Sequence, residues 1–527
     1  MQNRLLIKIL VPAVIAAGSV VAAVNAAGAE TTPDARLAEI LDGVLGDPRL
    51  EGAQSTVQVR DAATGETVYD HGGDHAGIPA STMKLLTSAA AMDILGPEHR
   101  FVTDVRTDGS LRHGVLDGDL YLRGTGDPTM IDADYDDLAR QLAEAGVTAV
   151  TGDLVADDTW FDSRRLGLEW AWDDEPYQFA AQVSALNLSA FDTDYNTGTV
   201  FIEVIPGAEG TTPRVRIDPP SKYVKVSNTA KTVAADGEYD VWIERRHGSN
   251  VIDVSGTIPV GAEPAADLAS VWEPTGLVAE IFRTAMKKHG ITVLGGTRTG
   301  RATPENAEVL AARKSMPLSE MLVPFMKYSL NSHGEVLVKT IGRAVSGEGT
   351  WDAGLSAIGD YLTAKGLDDG KYVIGDGSGM TRRTYVPTAE ILDLLVAVRS
   401  EPWFATWEAA LPVAGDPDPL VGGTLRSRMR GTPAAGNVHA KTGSMTGVST
   451  LSGYVTDADG RALVFGVQLN HLVTQESVRP IEDMIAVALA SYSRTAPPET
   501  MLAPSLPEPG PEQPVGLECS WVTPKVC

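Results

Sequence analysis

Cysteine is almost absent: in 527 residues only Cys519 and Cys527 carry a thiol, both in the final segment. Two thiols make neither a disulfide framework nor a thiolate metal site, and a bridge between them would close a short loop in the tail without bracing a core. Basic residues are outnumbered, 43 Lys and Arg against 69 Asp and Glu, for a formal net charge of −26. A phosphate backbone needs a basic face, so no nucleic-acid partner is expected. Histidines number nine, and only His71 and His75 have the spacing of a helical ligand pair. Gly72-Gly73 between them favours a turn, where that spacing aligns nothing. No catalytic metal and no cofactor are expected. Long apolar runs are confined to the beginning, where Arg4 and Lys8 precede an apolar stretch from Ile9 to Val24 and then Ala27-Gly28-Ala29. That is the pattern of an export signal over residues 1–29; an uncleaved membrane anchor is the alternative, because the stretch is nearly long enough to span. Either way the body of the chain is expected outside the cytoplasmic membrane, in the cell wall or secreted.

What is present describes a globular protein: 43% hydrophobic and 21% charged residues, with length enough for two to four domains. A helical lead (Ala35 to Leu45) is followed by alternating Ser55 to Asp61, a turn at Thr64-Gly65, and Thr67 to Tyr69, which together read as an antiparallel hairpin. Short strands with Gly and Asp turns begin at Phe101; the Gly124-Thr125-Gly126 turn lacks the Gly-Lys-Ser/Thr of a phosphate loop and reads as structural. Residues 190 to about 262 show no helical period and form a small β insert. A second helical region begins near Ser315, and strands at Ser449 to Val455 and Ala462 to Leu469 precede a closing helix, Ser477 to Tyr492. From Ala496 to Pro514 the chain is rich in Pro and Glu and is expected to be extended.

Three short motifs carry chemistry. Ser81 and Lys84 stand three residues apart at the head of an apolar helix, which puts the amine within reach of the hydroxyl. A hydroxyl is a poor nucleophile until a base removes its proton, and a lysine does so only when its surroundings hold it neutral part of the time. Ser329-x-Asn331 and Lys441-Thr442-Gly443 follow in order. Each alone is a common accident; the ordered set marks the penicillin-binding proteins and serine β-lactamases. The strip Trp170-Ala171-Trp172-Asp173-Asp174-Glu175-Pro176-Tyr177 interleaves rings with carboxylates and suits an ammonium-bearing ligand.

With Gly124-x-Gly126-Asp127-Pro128, Asp376-Gly377-Ser378-Gly379 and Ala440 to Gly447, the chain from about residue 35 to 494 resembles the D-alanyl-D-alanine carboxypeptidase/endopeptidase family of class C, type-4 penicillin-binding proteins, in its actinobacterial form. The resemblance implies an α/β multidomain fold. Its catalytic domain, an antiparallel sheet flanked by helices, occupies 30–102 and 306–495 and is split by an insert at 103–186 and 263–305. That insert encloses a nested β insert at 187–262, and a tail covers 496–527. The resemblance also implies roles. Ser81 attacks a D-Ala-D-Ala peptide carbonyl and Lys84 takes its proton. The backbone N–H groups of Ser81 and Ser444 form the oxyanion hole. Ser329 relays a proton to the leaving amine and Asn331 orients the peptide. Lys441 keeps the Lys84 amine neutral and faces the terminal carboxylate with Thr442, on the segment Gly443, Ser444 and Met445. The partners implied are peptidoglycan stem peptides and β-lactams, and a homo-oligomer is compatible with the sequence. If the stem carries diaminopimelate, Asp173 pairs with its ammonium and Arg382 with its carboxylate, between Trp170 and Met445 as apolar walls. The Asp376 turn is expected to shape the rim of the site. Leu330, where a polar residue is usual, and the Ser-His-Gly-Glu that follows Asn331 depart from the family pattern. A β-lactamase and an inactive wall-binding protein are the alternatives; the first lacks a suitably placed Glu-x-x-x-Asn segment, and the intact motifs speak against the second.

Overall fold

The computed structural model describes residues 33–496. Residues 1–32, with the expected export signal, and the tail beyond residue 496, with Cys519 and Cys527, lie outside them. Among the described residues no helix is long and apolar enough to cross a membrane.

The catalytic part is a five-stranded antiparallel sheet between two helical layers. Helix α1 (Pro33–Leu45) leads into β1 (Gln54–Asp61) and β2 (Thr67–His71), and helix α2 (Met83–Ile94) follows. Far along the chain the sheet is completed, and β1 pairs with Ala462–Asn470, which pairs with Val448–Thr456, which in turn pairs with the edge strand His439–Met445. The two faces differ in chemistry because side chains alternate along each strand. Val57, Val59, Leu451, Val455 and Val467 enter one core with Leu37 and Leu41 of α1 and Ile481 and Ile485 of the closing helix Arg479–Ser491. The opposite face is buried yet polar, with Thr56, Gln58, Thr450, Ser452, Gln468 and Asn470. These side chains bind irregular backbone, which an apolar face would leave unsatisfied. Asn470 accepts from the Ile78 N–H at 2.8 Å, Thr450 donates to the Pro79 carbonyl at 2.8 Å, and Gln468 donates to the Val386 carbonyl at 3.0 Å. The polar face therefore fixes the loop that leads into α2.

The insert is entered through β3 (Val102–Thr107), which pairs with β4 (Leu120–Gly124), itself parallel to β5 (Leu154–Asp157). The strand Glu308–Lys314 pairs antiparallel with β3, with Lys314 opposite Val102. This pairing carries the insert sheet past residue 305 to Lys314. Helices Asp132–Glu144 and Pro274–Lys288 pack against each other beside these strands, over one apolar core. The nested part holds β6 (Thr199–Ile205), then β7 (Asp240–Arg245) paired antiparallel with β8 (Val251–Pro259), and β9 (Ala265–Ser270), which pairs with β6. The chain returns to the catalytic part through α3 (Leu318–Lys327) and α4 (Asn331–Ser346).

Two glycines separate steric from conformational cost. Gly379 has φ +82° and a Cβ there would lie 1.8 Å from the Ala80 carbonyl oxygen, whereas Gly347, capping α4 at φ +80°, faces open space. Gly347→Ala is expected to cost about 1 kcal/mol and Gly379→Ala more than about 3 kcal/mol, read from denaturant midpoints.

Candidate active site

The position of Ser81 is set by a strained entry to α2. Ala80 has φ +46°, and a short 3-10 turn, Ala80–Thr82, precedes the helix. The Thr82 hydroxyl donates to the Pro79 carbonyl at 2.7 Å and closes that turn. Ser81 and Lys84 then face the same way, and Lys84 Nζ lies 2.7 Å from Ser81 Oγ. The amine also donates to Asn331 Oδ1 at 2.7 Å and to the Ser378 carbonyl at 2.9 Å. Lys84 has no exposed surface and Ser81 is 6% exposed. A neutral lysine keeps two N–H donors and one lone pair. With the donors directed to Asn331 and Ser378, the lone pair faces the Ser81 hydroxyl, the arrangement of a general base on its nucleophile.

The second motif sits where α3 ends and α4 begins. Ser329 has φ +62°, and the Leu330 N–H returns to the Phe325 carbonyl at 3.1 Å, so the chain reverses sharply between the two helices. Leu330 is buried in the helical core, which accounts for an apolar residue there. Ser329 Oγ accepts from Lys441 Nζ at 2.7 Å, and that amine also donates to the Thr442 carbonyl at 2.8 Å. Asn331 begins α4; its Nδ2 donates to the Phe179 carbonyl at 2.9 Å, so the insert supplies one of its partners.

Lys441, Thr442, Gly443, Ser444 and Met445 lie on the edge strand, with Lys441 and Gly443 buried and Thr442 and Ser444 partly exposed. A Cβ on Gly443 would fall 2.8 Å from the Ser81 nitrogen and 2.3 Å from Thr450 Oγ1, so only glycine lets this strand pass Ser81. The Thr442 hydroxyl bonds to Thr424 Oγ1 at 2.8 Å, a neighbour that no local pattern announced.

The Asp376 turn corrects an expectation. Asp376 and Ser378 are fully buried, so the turn forms the floor of the site and not its rim, and it contributes the backbone carbonyl of Ser378. Glu335 holds that floor: it accepts from the N–H groups of Ser378 (2.8 Å) and Gly377 (3.1 Å) and from the Trp351 indole (2.7 Å). Asp376 accepts from the N–H groups of Gly379 and Thr381 and from the Trp170 indole at 3.0 Å. Burial, reinforced by the Asp376 charge, pushes the Glu335 carboxyl up, and burial does the same to Asp376.

An open cleft of about 280 Å³ lies over Ser81, lined by Asn331, Arg382, Ser444 and Met445 and by a wall that the insert contributes, Ala171, Asp173 and Asp174. Asp173 and Arg382 thus share one cleft, both exposed, with Arg382 donating to the Thr446 carbonyl at 2.9 Å. Trp170 is half-buried, its indole turned to Asp376 and its ring set edge-on to Trp351 at 6.5 Å, so it acts on the floor, not as the apolar wall expected of it. Among the described residues no cluster of His, Cys, Asp and Glu is arranged to hold a metal.

The crystal structure of penicillin-binding protein 4 from Haemophilus influenzae superposes on this fold with a TM-score of 0.73 at 25% identity, covering 85% of this chain and 97% of that one. The fold is that of the penicillin-binding proteins. Within that class the chain belongs to the D-Ala-D-Ala carboxypeptidase 3 (S13) family, whose model matches residues 37–492. A D-alanyl-D-alanine carboxypeptidase from an Actinomadura species is 44% identical over 96% of this chain and 93% of that protein. The D-alanyl-D-alanine carboxypeptidase DacB of Haemophilus influenzae is 27% identical over 79% of this chain and 85% of that protein.

Glu335→Gln strips an acceptor from the Gly377 and Trp351 donors, at roughly 1–3 kcal/mol for each donor left unsatisfied. Labelling of the protein by a fluorescent penicillin is expected to slow by about tenfold as the Ser378 carbonyl shifts from Lys84. A carboxyl raised on folding binds a proton that the unfolded chain has released, so its stabilisation is present below the ordinary carboxylate range and is lost as pH rises past it. The difference in stability between wild type and Glu335→Gln is therefore expected to shrink as pH is raised, measured by chemical denaturation at several pH values.

Proposed function

We propose that this protein is a serine D-Ala-D-Ala carboxypeptidase acting on peptidoglycan stem peptides through an acyl-enzyme at Ser81. The observation that carries the reading is the 2.7 Å contact between Lys84 Nζ and Ser81 Oγ inside a buried ring of acceptors, in a chain of the S13 family. Lys84 removes the Ser81 proton as Oγ attacks the penultimate D-Ala carbonyl. The backbone N–H groups of Ser81 and Ser444 receive the developing oxyanion. The Lys441–Ser329 pair delivers a proton to the departing amine, and Asn331 keeps Lys84 aligned while it orients the peptide. The positive charge of Lys441, with the Thr442 hydroxyl, draws the terminal carboxylate. Water then cleaves the ester and releases the shortened stem. When the departing amine belongs to a neighbouring stem, the same steps open a cross-link, which is endopeptidase action. A β-lactam presents a strained amide to the same serine and leaves a slowly hydrolysed adduct. The site works outside the cytoplasmic membrane, where its substrate is, as the export pattern at 1–29 supports.

The stem side chain is read by the wall that the insert contributes to the cleft, together with Arg382. In a diaminopimelate stem, Asp173 pairs with the ammonium and Arg382 with the carboxylate, against Met445. The adjacent carboxylates also favour a cation: burial and then the Asp173 charge push the Asp174 carboxyl up, with Arg382 opposing.

Mass spectrometry after benzylpenicillin should find one adduct on the peptide containing Ser81, persisting for minutes or longer; rapid loss of the adduct would assign a β-lactamase instead. Ser81→Ala is expected to abolish the adduct and the release of D-Ala from a muropeptide. Asp173→Ala should raise KM for a diaminopimelate stem peptide by about tenfold, far more than for a thioester lacking the side chain, and equal effects on both would remove Asp173 from the subsite.

A further inference from the structure

The wall that the insert contributes to the cleft is gripped from outside the catalytic part. Residues 171–179 supply Ala171, Asp173 and Asp174 to the cleft and the Phe179 carbonyl to Asn331. Between them stands Glu175, whose side chain is 8% exposed and turns away from the cleft into the nested β insert. Its carboxylate is held by the guanidinium of Arg245, at the end of β7, and by His247 Nδ1 at 2.8 Å. Its backbone carbonyl accepts from Arg245 Nη2 at 2.9 Å and from Ser270 Oγ, at the end of β9, at 2.7 Å. Arg245 is 1% exposed and also donates to the carbonyls of Arg246 and Ser249, which ties the β7–β8 turn to the same point. Trp172, largely exposed, lays its ring over His247 at 4.6 Å between centroids and covers the outer side of the grip.

A buried Arg–Glu pair is an expensive way to fasten a loop, since desolvation offsets most of its attraction and an apolar contact would serve stability as well. A guanidinium shared between one carboxylate and three carbonyls gives fixed geometry, which a hydrophobic contact does not. Fixed geometry is needed here because Asp173 and Asp174 are adjacent carboxylates that repel each other. Left untied, the segment would relieve that repulsion by swinging one of them away from the cleft. From this we infer that Glu175 is a positioning residue for substrate selection, and that the nested insert serves to hold Asp173 and Asp174 against the cleft for the cationic end of the stem side chain. The inference rests on the reading of that wall as the side-chain subsite. The chemistry at Ser81 depends on Glu175 much less, because Phe179 is also held through the Tyr177–Ala269 bridge and the Ser270 N–H to the Pro176 carbonyl.

The test compares Glu175→Gln, His247→Ala and Asp173→Ala on two substrates, a stem peptide bearing diaminopimelate and a thioester without that side chain. Glu175→Gln is expected to raise KM for the peptide by about tenfold while kcat/KM for the thioester stays within about twofold and penicillin labelling stays stoichiometric. His247→Ala, at a half-exposed position that strands no buried charge, should move the same ratio by about threefold and carries the test if Glu175→Gln does not fold. Parallel losses on both substrates would make the grip a matter of folding only and overturn the inference. An unchanged peptide KM in both grip variants, with Asp173→Ala still selective, would overturn it while leaving the subsite reading intact. Absence of selectivity in all three would remove both.

Discussion

One buried amine organises this molecule. Lys84 is sealed from solvent and satisfied by a hydroxyl, a side-chain amide and a backbone carbonyl that come from three separate stretches of chain. Burying an ammonium without such partners is prohibitive, so folding must deliver all three oxygens together. Each is held in turn by something further out. The Ser378 carbonyl stands on a turn fixed by Glu335 and Asp376, the Asn331 amide is steered by the Phe179 carbonyl, and Ser81 rests on a loop bound by the polar face of the central sheet. A base that must be neutral part of the time is served by neutral acceptors around it, and the two carboxylates are kept behind the turn, joined to it through backbone N–H groups.

The central sheet shows how a strand sequence can serve two purposes. One face is mainly apolar and packs on the first and last helices, with Ser449 bonded to Glu482 of the last helix as a buried polar link. The other face is buried yet polar, and its side chains are cross-linkers for chain that has no regular hydrogen-bond ladder of its own. Strain at Ala80 and Ser329, both at positive φ, persists because this surrounding network over-determines the conformation.

The side chains gathered around Ser81 were legible in the sequence because they stand at fixed local spacings: Ser81 with Lys84 on one turn of helix, Ser329 with Asn331 across a helix start, Lys441 on an edge strand. The hairpin, the closing helix and the β character of the insert were legible from periodicity. Depth was not. The Asp376 turn is visible as a glycine-rich stretch, yet nothing local tells whether such a turn rims a cleft or lies under it, and Glu335 reads as an ordinary helical residue until its partners are known. The Ser378 and Phe179 contributions come from backbone carbonyls, which leave no trace in residue type. The alternation of Thr450, Ser452, Gln468 and Asn470 with apolar neighbours was the one available sign that this sheet face binds irregular backbone. Glu175 and Arg245 are 70 residues apart, and no local pattern pairs them.

The cross-strand pairing of Val102 with Lys314 has a topological consequence. The chain leaves the catalytic part and re-enters it at two points held side by side, so the intervening segment is, for the rest of the molecule, a closed bulge with its ends already joined. The entropy of bringing α2 next to α4 is then that of a short connection, because the cost of closing roughly two hundred residues is borne inside the insert's own folding. Away from the 171–179 stretch, an excursion of that kind can be lengthened, decorated or given a new task without changing where α2 and α4 meet.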